Sequence, residues 1–516
     1  MTATPMPSPA ATRVHGYCSL SEAEIAGLVA RGRARDVINA HGDFAITVES
    51  EGTTTLIASA FGATQYYYAV VDGELHHGTT VLGVVESAGI PWRWDWATLA
   101  TVAELEYPLA DDTLHADVTR LPSRSVLTFT DGRPTVERVP WEELLPEGHA
   151  TPADTLRGFN EETARWLNDD AVLSISGGLD SRVLLSALLK AGSRPHCVVM
   201  GPPESTDARL SAHLCDHYRL SLERIAFGPK DYLEVGAQAA RLTSGTKPAK
   251  HWHTLIYSSR AGLPKDGPFF VGNAGEFLRT FLLDGGLPVT LLDRTGFDGA
   301  RWVWKHRRRI RGRVFHAPEA HHVRPELSQQ LFGSGAPPRH GRLEDESRRS
   351  RGLLGGLDRY YLEHQVRNFG GNGLKLYSAS TQWIAPFVSL AFARPAWNLE
   401  QRWKLGSRWH RWALRENDPW LLTVPESEGR TRTPLEPRPF YYIPSKKHKA
   451  IPYADYGTFF RDPVILDYIR DHAQVLDALV DPAHVRRICD QHARSGDRLF
   501  AVSFLLLMSF FVPQTG

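Results

Sequence analysis

Residues Ala171–Leu189 read AVLSISGGLDSRVLLSALL. A short apolar run leads in, two glycines and an aspartate sit at the centre, and a helical pattern leads out. This order predicts a strand, a tight polar turn and a helix start. Gly177 and Gly178 let the backbone bend sharply and leave room for a ligand to approach. The helix behind them turns unpaired N–H groups towards that space, which suits an anion. Ser176 and Ser181 add hydroxyl donors. Asp180 has the wrong sign for phosphate, unless a Mg²⁺ ion sits between carboxylate and phosphate. The chain contains no GxxxxGK[ST] pattern, so the turn is not a Walker loop.

The surroundings predict a parallel sheet. Helical TLRGFNEETARWLN precedes the turn; PHCVVMG, DARLSAHLCDHYR, LERIAF and GPFFVGNAGEF follow as alternating strands and helices. Ligands of such sheets bind beyond the carboxyl ends of the strands. From about Leu353 the chain reads as mostly helical.

Residues 40–130 have another character. DFAITVES, TTTLIASAF, QYYYAVVDGELHHGTT and RSVLTFTDGRPTVERV are short β-rich runs, two of them broken by Asp-Gly turns. DWATLATVAELEYPL between them reads as a helix. The expected division is a flexible tail over 1–20, an α+β domain over 21–150 ending in the Pro/Gly-rich VPWEELLPEGHATPAD, and an α/β domain over 151–516.

The whole chain has 516 residues, 42% hydrophobic and 23% charged, with 59 Lys and Arg against 58 Asp and Glu. Such balance gives no global field for nucleic acid or an anionic membrane. Leu499–Phe511 is apolar but too short for a span and reads as a buried helix. Cys18, Cys197, Cys215 and Cys489 form no CxxC pair, which argues against a zinc site or disulfide framework and fits a reducing cytoplasm. The basic run Arg301–Arg313 is either a solvated helix face or a contact for phosphates, an acidic peptide or a partner. GSGAPPRHGRLEDESRRSRG reads as a loop or linker.

SGGxDS between strand and helix resembles the pyrophosphate loop of ATP pyrophosphatases. With HGDFAITV, FGATQYYYAVVDGELHHGT, EYPLADDTLHADVTRLPSRSVLTF, VGNAGEF and STQWIAPFVSLAF in order, the chain resembles the asparagine synthetase superfamily, which includes β-lactam synthetases and lasso peptide cyclases. The resemblance implies a glutaminase-like (Ntn-type) sandwich followed by an ATP-pyrophosphatase-type synthetase domain. It implies ATP and Mg²⁺ as cofactors. Ser174, Ser176, Gly177, Gly178, Leu179, Asp180, Ser181, Val199, Met200, Val271 and Gly272 would form the nucleotide site, and Asp180 and Glu276 the metal pair.

Three departures refine that expectation. Members that use glutamine begin at a mature N-terminal Cys; here Thr2 follows Met1 and Cys18 is internal, so the first domain reads as a degenerate relic and the amine must come from a substrate. Glu276 falls where an Asp is usual, and Asn273 where a catalytic Glu or Tyr is usual. An amide accepts no proton as a base, so DRYYLEHQVRNFGGNG offers the replacement, with Glu363 the candidate and His364, Tyr360 and Tyr361 beside it. The family's phosphate-facing lysine has no match, since Glu428 falls nearest; Arg430, Arg432, Lys446 and Lys447 are the alternatives. The sequence thus points to a lasso peptide cyclase-like ligase acting on a leader-free precursor peptide, with a leader peptidase and a leader-binding protein as partners. A β-lactam synthetase-like or other small-molecule amide ligase is the alternative within the same chemistry, and Asn273 counts against the β-lactam type, which uses Tyr. A non-catalytic ATP-binding scaffold is the alternative outside it.

Overall fold

The computed structural model describes residues 11–263, 267–279, 314–333, 352–426 and 450–516. Arg430, Lys446, Lys447, Glu428, Arg432 and the Arg301–Arg313 run lie outside the described residues, as does most of the segment read as a linker.

The chain is mixed α/β, with three sheets and a helical C-terminal part. Five short strands, β9 (Val172–Ser174), β10 (His196–Met200), β11 (Leu222–Ile225), β12 (Pro268–Phe270) and β13 (Gln382–Ile384), form a parallel sheet in the order β11-β10-β9-β12-β13. Leu173, Cys197, Val198, Phe269 and Phe270 are fully buried, because helices cover both faces and no polar face is needed. β9 is central. From it the chain runs outward to β10 and β11 on one side, then returns to β12 on the other, so the order of strands reverses beside the SGGLDS turn.

The first region holds an antiparallel five-stranded sheet, β1 (Ala11–Cys18), β2 (Gly42–Ser50), β3 (Thr53–Ala58), β7 (Ser125–Thr130) and β8 (Arg133–Arg138), in that order. A three-stranded sheet, β5 (Glu74–Gly78), β4 (Tyr67–Val71) and β6 (Thr119–Arg120), packs against it through Ala45, Leu56, Ala58, Tyr66, Leu121 and Leu127. Both Asp-Gly hairpins form: φ is +49° and +81° at Asp72–Gly73, and +52° and +75° at Asp131–Gly132. Positive φ at both central residues matches the right-handed strand twist. The helix Trp96–Leu105 forms as expected, capped by the Asp95 side chain.

The flexible tail expected over 1–20 is corrected from Ala11 onward, residues 1–10 lying outside the described ones: Ala11–Cys18 pairs along its whole length with β2, from Ala11 opposite Glu49 to Cys18 opposite Gly42. ATRVHGYC is too polar to announce a strand; the waiting edge of β2 orders it. Tyr17 extends the tie to the other sheet, its hydroxyl accepting from the Ala385 N–H at 3.2 Å. The joint near residue 150 marks a change of sheet type and not a break in packing, because Phe44, Ile46 and Phe61 share one apolar core with Phe159, Leu173 and Phe387.

The helix running from Gly352 to Tyr377 ties the two regions together. Its middle, Tyr361–Gly370, has the wider π-type turn. One face meets the first region. Arg124 donates to Glu363 Oε1 at 2.7 Å, Arg138 to Glu363 Oε2 at 3.0 Å, and Trp141 Nε1 to Glu363 Oε1 at 2.5 Å. Arg367 donates to the carbonyls of Ala110 and Leu121, and Gln65 donates to Asn372. This corrects the reading of Glu363 as a base. Despite burial, Arg124 and Arg138 hold its carboxyl well below the usual range, so it takes up no proton near neutral pH.

The apolar C-terminal run forms the helix Leu499–Phe511, packed on Pro229–Leu242. Among the described residues no helix is long and apolar enough to cross a membrane.

Removing one partner of a buried, hydrogen-bonded ion pair leaves the other charge unpaired. Glu363→Gln is expected to cost ~3 kcal/mol at pH 7 in urea unfolding. The depressed pKa means the stabilisation is complete at neutral pH, starts to fall below the unfolded value of about 4.3 and is lost through the folded one. The gap between wild type and variant should therefore close on acidification, and a gap independent of pH would contradict the ion-pair account.

Candidate functional site

The SGGLDS turn leaves the carboxyl end of β9, with Val199 and Met200 at the end of neighbouring β10. Its shape is set internally. Ser181 Oγ donates to the Ser176 carbonyl at 3.0 Å and accepts from the Ser176 N–H at 3.1 Å. The Gly178 N–H donates to Ser176 Oγ at 3.2 Å, and the Gly177 N–H to Asp207 Oδ1 at 2.8 Å. Ser174 lies below, accepting from the Tyr257 hydroxyl at 3.2 Å. Both serines expected to be donors to a ligand are thus also the turn's own fasteners.

The helix Leu179–Lys190 starts at Gly178, which has no side chain to cap it. Among the described residues no side chain caps its first turn, and the helix dipole there favours a negative acceptor. Arg182, fully buried, pins the turn from behind: it donates to the Gly177 carbonyl at 2.9 Å and to the Val424 carbonyl at 2.7 Å. Burial lowers its pKa to about 10, so it stays charged.

The second segment, Val271–Phe277, presses against the turn from β12. Val271 donates to the Ile384 carbonyl at 2.9 Å. A Cβ on Gly272 would lie 3.3 Å from the Ser181 nitrogen, and one on Gly275 only 2.4 Å from Asp180 Cγ. Ala274 between them has φ +74°, a conformation costly for a residue with a side chain. The glycines answer a contact between two loops 95 residues apart in the chain, as the numbering of Asp180 and Gly275 gives.

Asp180 is part-buried. Arg279 pairs with Oδ2, and the fully buried His410 brings Nε2 to 2.9 Å from Oδ1. That approach is not aligned as a hydrogen bond, and among the described residues Oδ1 has no hydrogen-bond partner. Burial first, then the charges of Arg279 and Arg411, push the His410 pKa well down, so its ring is neutral beside the carboxylate. Glu276 accepts from the Tyr361 hydroxyl at 2.9 Å. Among the described residues no three His, Cys, Asp or Glu side chains come together as a metal cluster. The unsatisfied oxygen of Asp180 is one that Mg²⁺ could take, an ion that commonly binds one or two protein carboxylates and completes its shell with phosphates and water.

Beside the second segment lies a pocket of about 310 Å³. Asn273, Glu276, Tyr361, Lys247, His251 and His253 line it, and Phe369, Tyr377 and Tyr453 supply aromatic surface. Glu363 does not line it. Desolvation lowers the pKa of His251 to about 3 and of His253 to about 4; both are neutral at pH 7. Lys247 donates to the Phe369 carbonyl at 2.8 Å and lies over that ring. The structure thus brings together the SGGLDS turn, Val271, Gly272, Asn273 and Glu276, and sets Glu363 apart. Tyr361, which the sequence placed only as a neighbour of Glu363, carries the helix into the site. Asp207, Arg279 and His410 were missed, since no local pattern links them to the turn.

No protein-family model matches the chain. A search of curated proteins likewise finds no match.

Gly275→Ala forces a side-chain carbon into Asp180, and is expected to cost ~1–3 kcal/mol by overpacking. Gly262→Ala, which meets nothing within 4 Å, serves as control. Equal midpoints for the two variants in thermal unfolding would mean that the two loops do not touch as described.

Proposed function

We propose that the chain is an AMP-forming, ATP-dependent amide ligase of the lasso peptide cyclase type. The observation that carries the reading is the uncapped helix start at Gly178, packed against the Gly272–Glu276 loop at the mouth of an aromatic pocket. An anion site and an organic pocket that share a wall are what a ligase needs to activate a carboxylate and then pass it to an amine.

In this reading the triphosphate of ATP lies on the first-turn N–H groups of Leu179–Lys190, with the nucleoside towards Val199, Met200 and Val271. A side-chain carboxylate of a leader-free peptide, Asp or Glu, attacks the α phosphorus, and pyrophosphate leaves. The peptide's own N-terminal amine attacks the acyl carbon, and AMP leaves with both electrons of the broken C–O bond. Asp180 and Glu276 would hold Mg²⁺, which neutralises charge on the departing pyrophosphate. Arg279 sits one hydrogen bond from the same place. A peptide α-amine, pKa near 8, is partly neutral at pH 7. Once it has attacked, its N–H is strongly acidic and needs no strong base, so water suffices as acceptor. Asn273 can orient either partner but takes no proton. Holding amine and acyl group in one pocket supplies the intramolecular advantage. Such a substrate needs a leader peptidase and a leader-binding protein upstream, and the four free thiols suit a reducing compartment.

The pocket volume of about 310 Å³ is at the small end for organic ligands, which favours a small-molecule amide ligase as the second reading. ATP–pyrophosphate exchange separates them: dependence on a precursor peptide supports the cyclase, dependence on a small amino-acid derivative the ligase. Asp180→Ala and Glu276→Ala are expected to lower exchange by ~100-fold or more. Tyr361→Phe, which removes the hydrogen bond that holds Glu276, should lower exchange as well, but by less than Glu276→Ala. Wild-type rates in both carboxylate variants, or no exchange with any substrate, would overturn the proposal, the latter leaving a scaffold.

A further inference from the structure

A second cavity, of about 380 Å³, lies against the other side of the helix Gly371–Tyr377. It is open to solvent at Thr79 and Ser378 and reaches in to Lys375. None of its lining residues is acidic. Val14, Leu242 and Trp383 give it an apolar side, and His15 and Lys375 a nitrogen-bearing one.

Lys375 is the unusual member. It is 8% exposed. Its amine donates to the Thr79 carbonyl and lies 4.9 Å from the Tyr67 ring centre. Among the described residues no carboxylate pairs with it, whereas two other buried lysines each meet one: Lys250 meets Glu106 at 2.7 Å and Lys404 meets Asp358 at 2.6 Å. Burial first, and then the like charge of Arg120, hold its amine well below the ordinary lysine range. A buried amine without a counter-ion sheds its proton readily, and a carboxylate entering beside it restores the charged form by pairing with it. The cavity gives such a group a way in.

We propose that this cavity is a second ligand site, taking a small organic carboxylate whose head meets Lys375 and whose apolar body packs on Val14, Leu242 and Trp383. One lysine, with no guanidinium fork in the lining, matches a single carboxylate head better than the many oxygens of a phosphate. The apolar side gives inorganic anions nothing to pack on. The inference does not rest on the amide-ligase reading, since the cavity shares no lining residue with the pocket of the candidate site.

The test uses the full chain and three probes: butyrate, its neutral isostere butyramide, and inorganic phosphate. Saturation-transfer NMR is expected to give saturable butyrate binding with a dissociation constant on the order of 1 mM. Butyramide and phosphate should bind at least about tenfold more weakly, and Lys375→Met should weaken butyrate by a similar factor. A measurement on the wild-type chain guards against a variant that does not fold. Reductive methylation followed by mass spectrometry should find Lys375 modified slowly, and more slowly still with butyrate present, the other lysines being unaffected. Equal binding of butyramide or phosphate, unchanged affinity in folded Lys375→Met, or methylation of Lys375 that butyrate does not alter would each overturn the assignment.

Discussion

The carboxylate of Glu363, gripped by Arg124, Arg138 and Trp141, fixes one helix between two sheets of different kind, and much else follows from where that helix lies. A charge placed inside a protein is tolerated only when its oxygens are filled, and here the filling groups all come from the first region of the chain. The grip therefore cannot form unless that region is folded and docked. Arg367, reaching the Ala110 and Leu121 carbonyls, and Asn372, taking the Gln65 amide, repeat the arrangement one and two turns further on. Tyr361, Phe369, Gly373 and Tyr377 on the remaining face become a wall of the candidate pocket, while Lys375 faces the other cavity. The first region thus helps to position a helix that walls a pocket lined by residues from Lys247 onward.

The turn after β9 shows a different economy. Its serines hold the bend, its glycines admit the neighbouring loop, and Arg182 fixes it from behind through backbone carbonyls. What remains unspent is the helix start and one oxygen of Asp180. The positive field at the helix start and the guanidinium of Arg279 both oppose the charge of the Asp180 carboxylate.

Much of this was legible in the sequence, and the limits have physical causes. The strand–turn–helix, the two Asp-Gly hairpins, the parallel alternation and the buried last helix rest on local pattern, and local pattern carried them. β1 was not legible because its residues make a strand only against β2. Glu363 was misread because a carboxylate amid aromatic residues looks alike whether it faces a pocket or two arginines over two hundred residues away. Arg279 and His410 join Asp180 only once the sheet has brought three distant segments together. Tyr361 was noticed, but its direction is set by the widened turn over Tyr361–Gly370, which a periodicity of 3.6 does not anticipate.

The antiparallel sheet ends on two differently guarded margins. β8 is exposed throughout and carries Pro134, Arg133, Glu137 and Arg138, features that discourage a foreign strand from joining. β1 guards the other margin, with Arg13 exposed and Gly16 at φ +85°. Behind it, β2 is a nine-residue strand rich in Phe, Ile and Val and buried over its first seven positions. A preparation clipped after Cys18 would uncover that strand's hydrogen-bonding groups, and such an edge recruits its like from neighbouring molecules. Self-association of the clipped protein, and its suppression by a peptide with the sequence of Ala11–Cys18, is the behaviour that this arrangement of edges entails.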